Sequence, residues 1–181
     1  MKKILQYQLL YLLPLLILSA CGGTKKIASS DTKPSAVSEH TSTNHSKDTP
    51  PYNISRKDLI RFAKTFMGTP YKYGSINPQA GFDCSGFVYH VLQHFDVTPP
   101  RASYQYEDVG KEIKVKHAQP GDVILFTGPN GGSKIGHMGI ITESDAEKPA
   151  FIHASSSKGV TISRLEGYYE KHFVKVIRIL K

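Results

Sequence analysis

Cys84 lies where a loop passes into an amphipathic helix, within the segment Gly81–Val88. A thiol at the N-terminus of a helix is close to unpaired backbone N–H groups and to the positive end of the helix dipole, which both stabilise a thiolate. The sequence therefore predicts a lowered pKa and a nucleophilic role for Cys84. The other cysteine of the chain, Cys21, has a separate explanation.

Two histidines could complete a site around this thiol. A nucleophilic thiol needs a base, a group that orients the base, and N–H donors for the oxyanion. His137 opens a strand pattern after the glycine-rich loop 128–136, and His153 lies in the next strand pattern. If these strands pair, the imidazoles lie side by side and His153 accepts the proton on the far nitrogen of His137. Each histidine alone could be an exposed or core residue, but together with Cys84 they favour a Cys-His-His site.

The N-terminus has the features of an export signal. Two lysines precede the apolar run 9–18, which is too short for a membrane span of roughly 20 residues. Residues 18–21, Leu-Ser-Ala-Cys, resemble the lipobox of bacterial lipoproteins, which predicts lipidation of Cys21 and a membrane anchor. The alternative is a chance cysteine after a soluble secretory signal. If Cys21 is acylated, Cys84 has no disulfide partner in the chain.

Charge and location restrict the partners. The formal net charge of +8 falls by two when the signal lysines are removed, so the exported chain is still basic. A basic exported lipoprotein is expected to meet peptidoglycan and membrane surfaces rather than nucleic acid. Gly22 is not the aspartate that favours inner-membrane retention, so the outer membrane facing the periplasm is predicted if the cell is Gram-negative. A monomer is expected.

The composition divides the chain into three parts. Residues 1–20 form the signal peptide, and residues 21–53 contain the lipidated cysteine and a polar tether that cannot bury enough apolar surface to fold. Residues 54–181 have regular apolar patterning and the length of one domain.

Helical periodicity comes first in this domain. Ser55 and Asp58 resemble a capping box at the start of the first helix, whose predicted buried face is Leu59, Ile60, Ala63, Phe66 and Met67. A second helix follows Cys84, with apolar residues at helical spacing: Phe87, Val88, Val91, Leu92 and Phe95.

Strand patterns come afterwards. A short helix or turn at 104–109 is followed by five strand candidates at 123–126, 138–142, 150–154, 160–163 and 174–180. Helices followed by strands indicate an α+β fold with an antiparallel sheet.

Five motifs resemble those of the NlpC-type cell-wall peptidases: 68–74, 83–88, 120–122, 137–140 and 151–155. The resemblance covers nearly all of residues 54–181. It implies a papain-like α+β fold, with N-terminal helices packed on a central antiparallel β-sheet. It also implies a cysteine peptidase that hydrolyses stem-peptide bonds of peptidoglycan, often the bond from D-γ-glutamyl to diaminopimelate.

The resemblance also assigns catalytic roles. Cys84 is the expected nucleophile, His137 the general base and His153 the orienting third residue. Tyr71 matches a tyrosine whose hydroxyl assists the oxyanion beside the Cys84 N–H, although a packed loop aromatic is an equal alternative. The insertion 144–149 lengthens the interval between the two histidines and is expected to form a hairpin loop.

Four further residues are expected to bind substrate. Asp83 and Ser85 match a pair that holds a free stem-peptide amine, although Asp83 could also cap the helix. Arg101 and Ser103 match a segment near the cleft, where Arg101 could meet a substrate carboxylate. A solvated arginine is the alternative.

A zinc hydrolase, a wall-binding lipoprotein and other peptidoglycan hydrolases are the alternative functions. His90 and His94 have a metal-binding spacing, but Val91 stands where a zinc hydrolase would carry its glutamate, so neither a metal nor another cofactor is expected. A wall-binding lipoprotein without activity would typically lack the cysteine or a histidine. Among enzymes, an N-acetylmuramoyl-L-alanine amidase and a D,D-cross-link endopeptidase use the same chemistry and stay open.

Overall fold

The computed structural model describes residues 51–181. The predicted signal peptide, the lipidation of Cys21 and the tether up to residue 50 lie outside this range. Within it, no helix combines the length and the apolar character needed to cross a membrane. Core contacts already include Tyr52, whose N–H donates to the Ile179 carbonyl at 3.0 Å.

Helix α1 (Arg56–Lys64) begins where the sequence predicts. The Ser55 hydroxyl accepts the Asp58 N–H at 3.4 Å, and Leu59, Ile60 and Ala63 form the buried face. The prediction that Met67 belongs to this face is wrong, because the helix ends at Lys64 and Met67 is 47% exposed in the turn that follows.

Helix α2 (Cys84–Gln93) has Asp83 as its N-cap. The apolar residues within it are buried as predicted: Phe87, Val88, Val91 and Leu92. Between the two helices, the expected loop contains a short hairpin, β1 (Ile76–Asn77) and β2 (Gly81–Phe82), which brings the chain to Asp83.

A six-stranded antiparallel sheet forms the rest of the domain. Its order is β3-β8-β4-β5-β6-β7, which confirms the predicted α+β fold. The strands are β3 (Lys111–Ile113), β4 (Val123–Thr127), β5 (Ile135–Glu143), β6 (Ala150–Ser155), β7 (Gly159–Arg164) and β8 (Phe173–Arg178). Two 3-10 helices, Ser103–Tyr106 and Val115–His117, precede β4, and a short helix α3 (Tyr168–His172) precedes β8.

Packing of α2 on the sheet positions the site. The helix lies against β5 and β6, where its apolar face joins Met138, Ile140, Ile152 and Ala154 in one core. Burial of this apolar surface fixes the helix on the sheet, so its N-terminus, with Cys84, faces the beginning of β5.

The loop 144–149 connects β5 to β6 as predicted. The Asp145 carboxylate accepts the N–H groups of Glu147 and Lys148, both at 2.9 Å, and the Ser144 hydroxyl donates to the Ala118 carbonyl at 3.0 Å. Hydrogen bonds within the insertion and one to Ala118 therefore fix this loop, and the strands that it connects, β5 and β6, pair with each other.

Candidate active site

Cys84 is the first residue of α2 and is only 9% exposed. Its sulfur lies 3.8 Å from the Gly136 carbonyl oxygen at the start of β5. The backbone N–H groups of Ser85, Cys84 and Met138 also interact with the sulfur. The thiol is thus held between a helix N-terminus and a strand, with N–H donors around it.

Burial and, to a smaller extent, the negative charge of Asp83 raise the pKa of the Cys84 thiol to about 11. The neighbouring N–H groups lower it, but they offset only part of the desolvation cost. The predicted low pKa is therefore wrong for the free protein, because removal from water outweighs the helix N-terminus. Cys84 is a neutral thiol at neutral pH and needs a base when it reacts.

His137 is the third residue of β5, with Phe126 of β4 as its partner. The strand therefore begins two residues before the predicted start, and His137 lies inside the sheet. Its Nε2 is 2.9 Å from Nδ1 of His153 on β6, so the predicted contact between the imidazoles is present. Because Nε2 is hydrogen-bonded to His153, Nδ1 is the His137 nitrogen that can accept a proton from Cys84, which lines the same cleft.

Gly139 permits this close approach. It precedes Ile140, which pairs with Ile152, and it therefore faces His153 across the ladder. A Cβ at residue 139 would lie 2.8 Å from the Ile152 carbonyl oxygen and 3.0 Å from Cβ of His153. Both distances are shorter than a normal contact, so only glycine allows β6 to lie close enough for the imidazoles to meet.

His153 is fully buried and has partners at both ring nitrogens. Its Nε2 lies 3.0 Å from the Ser163 hydroxyl of β7 and 3.2 Å from the Tyr169 hydroxyl of α3. Neither hydroxyl was predicted from the sequence, because Ser163 and Tyr169 belong to none of the five motifs. Only the folded chain brings them to the histidine.

We expect stability to fall in acid because of these imidazoles. Burial lowers the pKa of His137 to about 4 and that of His153 to about 3, whereas an unfolded histidine titrates near about 6.5. Between these values the unfolded chain binds more protons, so the free energy of unfolding rises with pH. Stability should therefore be full above about pH 6.5 and decline towards about pH 4.

Thermal denaturation across this pH range measures the effect. The variant carrying His137→Gln and His153→Gln should show a flatter dependence of the melting temperature. An equally steep decline in this variant would assign the acid sensitivity to other groups.

Tyr71 borders the cleft that contains Cys84 and His137. The remaining lining residues are Pro129, Gly136, Ser155, Ser156, Tyr168 and Tyr169. Burial raises the pKa of Tyr71, and negative charge on Cys84 and Asp83 raises it further, so its hydroxyl is close enough to sense the thiolate. The protonated hydroxyl can donate a hydrogen bond into the cleft.

Asp83, Ser85 and Arg101 form one hydrogen-bonded cluster beside the cleft. The Asp83 carboxylate accepts the Gly86 N–H at 2.5 Å as a helix cap and the Arg101 guanidinium at 2.7 and 3.1 Å. Arg101 also donates to the Ser85 hydroxyl at 3.1 Å. Arg101 is thus an ion-pair partner of Asp83, and 37% of its side-chain surface stays exposed. Ser103 is buried at the start of a 3-10 helix and does not line the cleft.

His90 and His94 pack against aromatic rings. His94 stacks on Phe62 with ring centroids 3.7 Å apart, and His90 lies 5.0 Å from Phe66 and 5.2 Å from Phe82. Among residues 51–181, no group of three or more His, Cys, Asp or Glu side chains is arranged to hold a metal ion. These histidines thus contribute to the packing of α2 on α1.

The sequence also matches known proteins. The sequence model described as the NlpC/P60 family matches residues 68–178. The protein named "Probable endopeptidase NlpC" of Escherichia coli (strain K12) is 37% identical over 118 residues, which are 64% of this chain and 73% of that protein. The "Bifunctional muramidase/DL-endopeptidase CwlT" of Bacillus subtilis (strain 168) is 33% identical over 122 residues, which are 67% of this chain and 36% of that protein.

Solved structures match the same domain. An NlpC/P60 family protein from Bacillus cereus ATCC 10987 superposes with a TM-score of 0.64 at 27% sequence identity. The match covers 72% of this chain and 42% of that protein. The chain therefore spans less than half of this structure and about a third of the muramidase/endopeptidase, so it corresponds to one part of each.

Proposed function

The chain belongs to the NlpC/P60 family, as its motifs predicted, and we propose on this premise that it is a cysteine endopeptidase that cleaves stem peptides of peptidoglycan. One observation carries the proposal: Cys84 at the N-terminus of α2 shares a cleft with His137, whose far nitrogen is 2.9 Å from His153. This arrangement supplies a nucleophile, a base and a group that orients the base.

The proposed reaction is acyl transfer. The Cys84 proton passes to Nδ1 of His137 as the sulfur attacks the scissile carbonyl, because the resting thiol and imidazole are both neutral. The Cys84 N–H and the Tyr71 hydroxyl stabilise the oxyanion. The His137 imidazolium then protonates the leaving amine, and neutral His137 activates the water that hydrolyses the thioester.

Tyr71→Phe is expected to impair turnover without abolishing it. The ring would still fill its place beside the cleft, but one oxyanion donor would be lost, which typically costs about 100 to 1,000-fold in kcat. Steady-state hydrolysis of a purified muropeptide measures the change. Tyr104→Phe is the matched control, because Tyr104 is 62% exposed and does not line the cleft. Unchanged kcat in Tyr71→Phe would remove the hydroxyl from the mechanism.

Asp83 and Ser85 are the proposed contacts for a free amine of the stem peptide. The cluster already offers a carboxylate next to the nucleophile, and an ammonium group can form charge-assisted hydrogen bonds with it. In this proposal Arg101 holds the Asp83 carboxylate in place instead of meeting a substrate carboxylate itself. Ser103 would support the segment that carries Arg101.

The bond from D-γ-glutamyl to diaminopimelate is the proposed cleavage point. The family resemblance supports this choice, as does the name DL-endopeptidase of the Bacillus relative. An N-acetylmuramoyl-L-alanine amidase and a D,D-cross-link endopeptidase are the competing assignments. Mass spectrometry of muropeptides digested by the full chain with Cys21→Ser separates them, since each cut leaves different fragments.

The N-terminal part of the proposal is a lipid anchor at Cys21. It would hold a monomeric enzyme at the cell envelope through the tether, at the outer membrane facing the periplasm in a Gram-negative cell. Two or more acyl chains are enough for stable anchoring. Cys21→Ser should therefore move the protein from the membrane fraction to the soluble fraction, and retention in the membrane would refute lipidation.

A further inference from the structure

Behind the two imidazoles, the hydroxyls of Ser163 and Tyr169 converge on one ring nitrogen. They come from different elements, β7 and α3, and both lie within hydrogen-bond distance of Nε2 of His153. His153 is fully buried, so a proton on this nitrogen has no access to bulk water. We infer that Ser163 and Tyr169 are positioning residues that select the tautomer of His153 and, through it, the nitrogen of His137 that faces Cys84.

The positions of the ring protons connect these hydroxyls to Cys84. In neutral His137, Nδ1 can accept the thiol proton only if the ring proton is on Nε2, where it is donated to Nδ1 of His153. His153 must then be unprotonated at Nδ1. Burial lowers its pKa to about 3, so it is neutral at neutral pH and carries its single proton on Nε2. That buried proton requires an acceptor.

Ser163 and Tyr169 are placed to accept this proton. Burial raises the pKa of Tyr169, and side-chain hydrogen bonds with Ser163 and Ser155 counteract the rise. Each of these hydroxyls can donate or accept a hydrogen bond. The Tyr169 hydroxyl can therefore accept the His153 proton while its own proton is donated to a neighbouring serine oxygen. Its ring lies 5.1 Å from that of His153 and 6.2 Å from that of His137, centroid to centroid, and restricts the orientation of both.

Loss of both acceptors would favour the other tautomer. His153 would then carry its proton on Nδ1 and donate it to His137, and His137 would present a protonated Nδ1 to the thiol. A histidine in this state cannot act as the base. This inference deepens the proposed function and rests on it for its kinetic consequence, but the tautomer itself can be measured without any substrate.

The test uses the full chain with Cys21→Ser as its parent. Long-range 15N–1H NMR of the imidazoles at neutral pH should show the His153 proton on Nε2. In the double variant Tyr169→Phe with Ser163→Ala, this signal should weaken and a signal of the His153 tautomer with its proton on Nδ1 should appear. The kcat on a muropeptide should fall by about 10 to 100-fold, as for other partners that orient functional imidazoles, with KM unchanged.

Conservative variants separate positioning from packing. Each single variant keeps one acceptor. The product of the two single-variant fold-losses in kcat should therefore be smaller than the fold-loss in kcat of the double variant. The double variant Tyr169→Phe with Ser163→Thr keeps a hydroxyl at residue 163, and its kcat should equal that of Tyr169→Phe alone. The control pair Tyr104→Phe with Ser144→Ala removes one hydroxyl of each type away from the cleft and should retain the parent kcat.

Alkylation of Cys84 by iodoacetamide gives a readout that is independent of peptide hydrolysis. The alkylation rate should fall with kcat in the double variant, because both reactions require proton transfer to His137. A parent with its His153 proton on Nδ1, or a double variant with the parent tautomer and alkylation rate, would overturn the inference. If the parent has the expected tautomer and responds to these variants but releases no amine from peptidoglycan, the proposed function fails and the positioning role stands.

Discussion

Cys84→Ala should abolish the release of new amine groups from purified peptidoglycan. In the proposed mechanism Cys84 forms the covalent intermediate, and alanine leaves no atom at residue 84 to attack the scissile carbonyl. The loss should exceed that of any other single substitution, since the oxyanion donors and substrate contacts that remain typically supply an acceleration of only about 1,000- to 10,000-fold over water.

The fold should survive this substitution. The Cys84 sulfur contacts only backbone groups, the Gly136 carbonyl at 3.8 Å and the N–H groups of Ser85, Cys84 and Met138. The Asp83 cap of α2 does not depend on the thiol. The melting temperature should therefore stay close to that of the wild type. The variant should also still sediment with insoluble peptidoglycan, because the substrate contacts are intact.

This combination separates an enzyme from a wall-binding protein. A pure binder would sediment equally in both forms and release nothing in either, whereas the proposed enzyme releases amines only with Cys84 present. Alkylation of the Cys21→Ser parent should have the same effect as Cys84→Ala, because Cys84 is then the one cysteine left in the chain. Turnover by Cys84→Ala would rule out the mechanism.

Asp122→Ala should cause a large loss of stability. Asp122 belongs to the motif at 120–122 and is fully buried. Its carboxylate accepts hydrogen bonds from Arg56 of α1 at 3.0 Å, from Arg178 of β8 at 3.1 and 2.8 Å, and from the Gln119 N–H at 2.9 Å. This carboxylate thus links the beginning of the domain to its end.

Alanine would leave two guanidinium groups without their buried partner. Removing one member of a buried ion pair typically costs about 3–5 kcal/mol. Arg56 and Arg178 keep about a quarter of their side-chain surface exposed, which reduces the cost to about 3 kcal/mol. For a domain of this size the melting temperature should fall by on the order of 10 °C.

Asp58→Ala is the matched control. It makes the same change in an exposed ion pair, with Arg61 at 2.8 Å, and pairs of this kind contribute at most about 1 kcal/mol. Chemical denaturation of both variants gives the comparison. Equal losses in the two variants would show that the buried carboxylate contributes no more than a surface one.

Local signals determined much of the fold. The cap at Ser55, the apolar spacing that follows Cys84 and the five apolar runs each predicted an element that is present. Such patterns suffice because a helix or strand that buries one face must show that face in its own sequence. The elements that were missed are short: the hairpin β1–β2, the edge strand β3 and helix α3. Each has only two to five residues, too few to show a helix or strand period in the sequence, and they depend on the partner they contact.

Part of the site could likewise be predicted from the sequence, and part could not. The residues that could react are evident from the local motifs, because Cys84, His137 and His153 lie in motifs whose order and residue types match one kind of chemistry. The contact between the imidazoles was predictable as well, because it follows from pairing two neighbouring strands.

The pKa values and hydrogen-bond partners of these groups follow from the folded arrangement and not from any local motif. The depth of burial raises the pKa of Cys84 where the helix N-terminus alone would lower it. Arg101 meets Asp83, 18 residues away in the chain, and Tyr169 meets His153 across 16 residues. Solvation and long-range contacts depend on every element packed around a group, and no local pattern encodes them.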